Sequence, residues 1–344
     1  MMIDRSMRFG ARAGACLKAS LAACLVLASA TTAAQTLLPG ERETRITAIP
    51  GVVAAGARWR IVWADFASAD GIVGTPDGGV IFAQEQTDRV VKLSSDGTEQ
   101  TYIEHAYGIG SVSLDTQGRL FGVERTCTEP LNPELPGCNV LTRVVQLLPA
   151  RRVLASSFAD GRPLGRLNDL ITDGRGGAYF TVGGAYYVDA EGAVSTVENQ
   201  NLRSNGIMLS RDGRTLYVTN VSEVLAFDIG RDGQTSNRRV FGSLDGDDGG
   251  DGMAIDAEGR LYVTANMGVH VFSERGDHLG LIPTPRRPIT LAFSGPDKRT
   301  LFVPQIGALG PDGQPWETPE GIRNIAMTMY TLPMQSQGFG GRPK

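Results

Sequence analysis

SNGIMLSRDGRTLYVTN, from Ser204 to Asn220, holds an Asn-Gly step, a short alternating apolar run (Ile207, Leu209), an Asp212-Gly213 turn and a second run from Leu216 to Val218. Two short strands joined by an Asp-Gly turn make a β-hairpin. The same phrase recurs as DGIVGTPDGGVIF from Asp70, GSVSLDTQGRLF from Gly110 and NDLITDGRGGAYF from Asn168. It returns as DGMAIDAEGRLY from Asp251 and TLAFSGPDKRTLF from Thr290. Copies of one strand-turn-strand unit, roughly 40 residues apart, are the signature of a propeller. Six of them predict an all-β chain folded as a six-bladed β-propeller. The 44 glycines and the recurring acidic-Gly turns agree, and no long helix-period segment stands out.

In a propeller the innermost strand of each blade lines the central channel, so equivalent positions at its start converge at one mouth. Here that column reads Asp70, Gly110, Asn168, Asn205, Asp251 and Thr290. Two carboxylates, two carboxamides and a hydroxyl gathered there are oxygen ligands suited to a hard cation. The bland explanation is that Asn and Asp begin strands well because they bond their own backbone. Taken together, the column predicts a divalent cation held by Asp70, Asn168, Asn205 and Asp251, Ca²⁺ first and Zn²⁺ second.

Working outward, Arg58 to Trp63 reads as a strand that joins the last blade and closes the ring with Met327 to Leu332. Residues 1–34 lie outside the fold: Arg5, Arg8, Arg12 and Lys18 lead into an apolar run from Ala19 to Ala30, then small residues up to Ala34. This predicts a secretory signal peptide cut before Gln35, too short to span a bilayer, and a periplasmic or secreted protein. Leu21-Ala22-Ala23-Cys24 resembles a lipoprotein box, but only five residues separate Lys18 from Cys24, which makes lipidation the lesser reading. Residues 35–344 then form a single propeller domain, a monomer in this reading.

The chain carries 33 basic and 37 acidic residues. Without the first 34 it is more acidic, and nothing in its charge pattern suggests nucleic acid or an anionic membrane as partner. Cys127 and Cys138 flank a Pro-rich insert, TEPLNPELPG, within the long second repeat. An isolated pair in an exported chain predicts a disulfide, worth about 3 kcal/mol by loop-closure entropy. All three histidines read as structural, with an approach of His105 to the mouth as the lesser alternative, and Asp245, Asp247 and Asp248 read as a solvated acidic loop.

Arg166-Leu167-Asn168-Asp169, Asn205-Gly206 and Asp251-Gly252, each followed by its hairpin, resemble the gluconolactonase and senescence-marker-protein (regucalcin) family. The resemblance runs from about Asp70 to Val303. It implies a six-bladed propeller with a divalent cation at the channel mouth and hydrolysis of sugar-acid lactones or related esters. By position it makes Asn205 and Asp251 metal ligands, Asn168 a metal or substrate contact, and Arg166 a substrate contact. Three positions depart from the family pattern: Asp70 stands for a Glu, Gly110 for an Asn, and Glu124-Arg125 for a Glu-His.

On this reading a bound cation polarises a lactone carbonyl and acidifies a bound water. Asp251 or Asp70 is the catalytic base, and Arg166 holds a substrate hydroxyl or carboxylate. No G-x-S-x-G elbow or P-loop lysine competes for the chemistry. The expected partner is therefore a small lactone or ester. The rival is a non-catalytic propeller that binds a protein or a carbohydrate.

Overall fold

Strands Ser204–Leu209 and Thr215–Asn220 form the hairpin read from the sequence, with Ile207 opposite Val218 and Leu209 opposite Leu216. At its turn the Asp212 carboxylate accepts hydrogen bonds from Ser210 Oγ (2.7 Å) and from the Arg214 N–H (3.0 Å). Short polar side chains that bond neighbouring backbone favour such turns. Two further strands, Glu223–Ile229 and Thr235–Ser243, complete an antiparallel four-stranded sheet in sequence order.

The structure is a computed structural model and describes residues 36–125, 142–199, 202–316 and 327–341. Among these residues the pattern repeats to give six four-stranded sheets, a six-bladed propeller. Blades one to five begin at Asp70, Ile109, Leu170, Ser204 and Met253. Blade six takes Ala292–Ser294, Thr300–Ile306 and Met327–Pro333 from the end of the chain and Arg60–Asp65 from its start. Arg60 pairs with Thr331 and Asp65 with Met327, the closure expected from the sequence. Blade six thereby reaches four strands like the other five, and the ring leaves only short edges.

The core lies between blades. Between blades one and six, Trp63, Phe82, Met327 and Met329 pack in one buried cluster, with the Trp63 and Phe82 rings 5.1 Å apart and edge to face. Polar stitches join the blades closer to the axis. Asp169, buried, accepts from Ser111 Oγ of blade two (2.6 Å) and from the Ile207 N–H of blade four (3.4 Å). The Asn-Gly step has a packing cause as well: a Cβ on Gly206 would lie 2.0 Å from the Asp251 carbonyl oxygen. Only glycine lets the start of blade four's inner strand come this close to that of blade five.

Cys127, Cys138 and the leader lie outside the described residues. No helix among the described residues is long and apolar enough to cross a membrane. In the acidic loop Asp245 and Asp248 are exposed as expected, but Asp247 is not. Asp247 is buried, not solvated, and meets His270 Nε2 at 3.1 Å; His270 Nδ1 meets His278 Nε2 at 3.0 Å, and His278 Nδ1 meets Asp245 at 2.8 Å. Strand pairing explains it, because His270 and His278 sit on adjacent strands of blade five.

Candidate active site at the channel mouth

Four of the six column positions meet in one cavity of about 300 Å³: Asp70, Asn168, Asn205 and Asp251. Arg166 joins them there, as expected. Thr290 is buried and does not line the cavity, and neither does Gly110. His105 stays outside, its side chain 75% exposed and 3.8 Å from Asp88.

Two charged lining residues had no role in the sequence reading, Glu85 and Arg125. Antiparallel pairing explains their position. The second strand of a blade ends where the first begins, so Ala83 pairs with Asp70 and Glu124 with Ile109. Residues just past the second strands of blades one and two, Glu85, Gln86 and Arg125, therefore reach the same mouth. Glu85 opens a short 3-10 turn, Glu85–Thr87, after the strand Val80–Gln84. Arg125 follows the strand Leu120–Glu124, while Glu124 is held by Arg151 (2.6 Å).

Arg125 is 5% exposed and its whole guanidinium is engaged. Nε donates to the Leu167 carbonyl (2.8 Å), and Nη1 donates to Glu85 Oε2 (3.1 Å) and Asp70 Oδ2 (3.3 Å). Nη2 donates to the Asn168 carbonyl (2.6 Å), to Asn168 Oδ1 (3.0 Å) and to Asp70 Oδ2 (3.3 Å). Glu85, 4% exposed, also receives Arg166, whose Nη1 lies 3.0 Å from Oε1. The pair of cations pulls the Glu85 carboxyl below its ordinary range although burial pushes it up. Arg166 keeps its side chain 44% exposed and leans into the cavity.

Further bonds tie the same groups to the rest of the mouth. Asn168 Nδ2 donates to Asn205 Oδ1. Asp70 Oδ1 accepts from the Gly71 N–H at 2.8 Å. Asp251 is partly buried, and its carboxyl is raised well above the usual carboxylate range, chiefly by burial and then by the charges of Asp70 and Asp169.

The expected cation can be tested against this donor set. Asp70 Oδ2 and Asn168 Oδ1 already face a guanidinium, and Asn205 Oδ1 faces an amide N–H. A divalent ion among these donors would have to share Asp70 with the fixed guanidinium charge that already pairs with Asp70 and Glu85. The four residues come together as the sequence predicted, but as arranged here they do not fit a metal ion.

A six-bladed propeller with carboxylates, carboxamides and guanidinium groups at one channel mouth defines the class. Residues 87–306 match the family described as SMP-30/Gluconolactonase/LRE-like region, and the chain belongs to that family. It is 28% identical to the pentonolactonase XacC of Haloferax volcanii over 50% of this chain and 64% of that one. The chain spans less than two thirds of the length of the first curated relatives that it matches. Among solved structures, a gluconolactonase from Xanthomonas campestris superposes with a TM-score of 0.65 at 22% identity, covering 88% of this chain and 99% of that one. A calcium-binding protein, regucalcin from Agrobacterium tumefaciens, does so with a TM-score of 0.59 at 17% identity over 82% and 95% of the two chains. At these identities the superpositions speak to the fold alone.

Proposed function

We propose that this mouth adds water to a lactone, or to a related carboxylic ester, and releases the hydroxy acid. The observation that carries the proposal is Asp251, a carboxylate that lines the cavity and has no side-chain hydrogen bond among the described residues. A raised carboxyl next to an open cavity is suited to accepting a proton from water. Asp251 takes a proton from water as the water oxygen bonds to the acyl carbon. The acyl carbon–ring oxygen bond then breaks, and the ring oxygen receives that proton. Asp70, the other base considered, is committed to Arg125 and to the Gly71 N–H.

Arg166 supplies the reach toward substrate. Its guanidinium bonds Glu85 and lines the cavity with the side chain 44% exposed, within reach of a sugar-acid hydroxyl or the lactone carbonyl. Asn168 and Asn205 present amide groups to the same space. The family and the lactonase relative support this reading. A bound metal would act as a Lewis acid on the carbonyl, but with the donors arranged as they are, no step here is routed through one.

The reading extends to an exported protein with a Cys127–Cys138 bond, motivated by the basic-then-apolar leader and the isolated cysteine pair. The mass of the mature N-terminus and of non-reduced peptides tests that part. For the activity, the test is ring opening of aldonolactones followed by proton release, in the wild type and in Asp251→Asn. No turnover by the wild type would leave the propeller as a binding module.

A further inference from the structure

The departure at Arg125 is matched by others around it. The guanidinium lies directly over Gly110: a Cβ built there would sit 1.9 Å from Nε and 2.2 Å from Cζ. Any side chain at position 110 would therefore evict Arg125. The space left by the missing column residue is the space that Arg125 fills. Asp70, shorter than the Glu of the family pattern, has its Oδ2 within 3.3 Å of both terminal nitrogens of Arg125. Glu85 closes the other side at 3.1 Å.

We infer that Arg125, seated on Gly110 and held by Asp70, Glu85 and Asn168, is the resident cation of this mouth, and that the chain binds no divalent metal ion there. The five N–H groups of the guanidinium are divided among the Leu167 and Asn168 carbonyls, Asn168 Oδ1, Asp70 and Glu85. Buried arginine keeps its proton in proteins, so this charge is permanent. Its role is positional: it sets the rotamers of Asp70 and Asn168 and offers no free N–H to a substrate. Hydrolysis at this site then has to come from Asp251 and Arg166, without a metal-bound water.

The test is a binding measurement and does not depend on finding a substrate. Purified wild type is dialysed against Ca²⁺ or Zn²⁺, its metal content is measured, and its melting temperature is recorded with each ion and with chelator. The expected result is no ion bound at the mouth and a melting temperature that chelator does not lower. Arg125→Ala empties the space over Gly110 and leaves Asp70, Glu85 and Asp251 together. It should gain a cation-dependent rise in melting temperature, and that gain should vanish in the double variant with Asp251→Asn. Stoichiometric ion binding in the wild type that is lost in either Asp70→Asn or Asp251→Asn would overturn the inference. Binding that survives both substitutions lies elsewhere and leaves it standing. If Arg125→Ala does not fold, the wild-type measurement and its two conservative variants still decide.

Discussion

Asp251 and Gly110 carry the predictions at the scale of single residues. Burial and the neighbouring carboxylates Asp70 and Asp169 raise the Asp251 carboxyl in the folded state. The folded protein then holds that proton more tightly than the unfolded chain does, so the contribution is most favourable at acid pH. It is lost as pH rises through the raised value. Removing the charge should relieve this. Asp251→Asn should melt higher at neutral pH, by roughly 2 °C per kcal/mol of relief, while turnover falls at least a hundredfold, on the order of general-base catalysis. Calorimetry and kinetics on one preparation check both; a lower melting temperature would contradict the electrostatic account. In the wild type, kcat/KM should climb with pH and level off above the ordinary carboxylate range. Gly110→Ala tests the other feature. Its Cβ collides with Arg125, and overpacking of this kind costs about 1–3 kcal/mol, measurable by urea denaturation. Asn205 and Asp251 were legible because each begins a repeat beside a glycine. Arg125 was visible only as a break in a pattern, since nothing in one dimension shows that its side chain folds back onto Gly110.

At the scale of elements, the hairpins were legible because alternation and acidic-Gly turns are local signals. The mouth residues that follow second strands, Glu85 and Arg125, were not. Their place depends on where the second strand of each blade ends relative to the first, which only antiparallel register decides: Ala83 opposite Asp70, Glu124 opposite Ile109. The same cause hid the blade-five chain of Asp245, His278, His270 and Asp247, which pairing between neighbouring strands assembles. The closing strand supplies an element-scale prediction. Trp63 anchors Arg60–Asp65 by stacking edge to face on Phe82 and by donating its indole N–H to Glu99 at 2.7 Å. Trp63→Ala leaves a cavity between blades one and six and should cost about 3–5 kcal/mol. Urea unfolding measures the loss. A cost under about 1 kcal/mol would mean that the ring does not depend on this closure.

For the whole molecule, the ring gathers residues from Asp70 to Asp251 into one cavity of about 300 Å³. No blade holds the site alone, so substitutions in different blades should fail in the same way. The cavity carries the carboxylates of Asp70, Glu85 and Asp251 against the cations of Arg125 and Arg166. That balance suits a neutral lactone and favours release of the hydroxy acid anion once it forms. The most direct test is turnover of five- and six-carbon aldonolactones by chelator-treated wild type beside Asp251→Asn, each followed by proton release. The wild type should open at least one of these lactones, and the variant should do so at least a hundredfold more slowly. Equal rates in the two proteins, or no turnover of any of them by the wild type, would contradict the account.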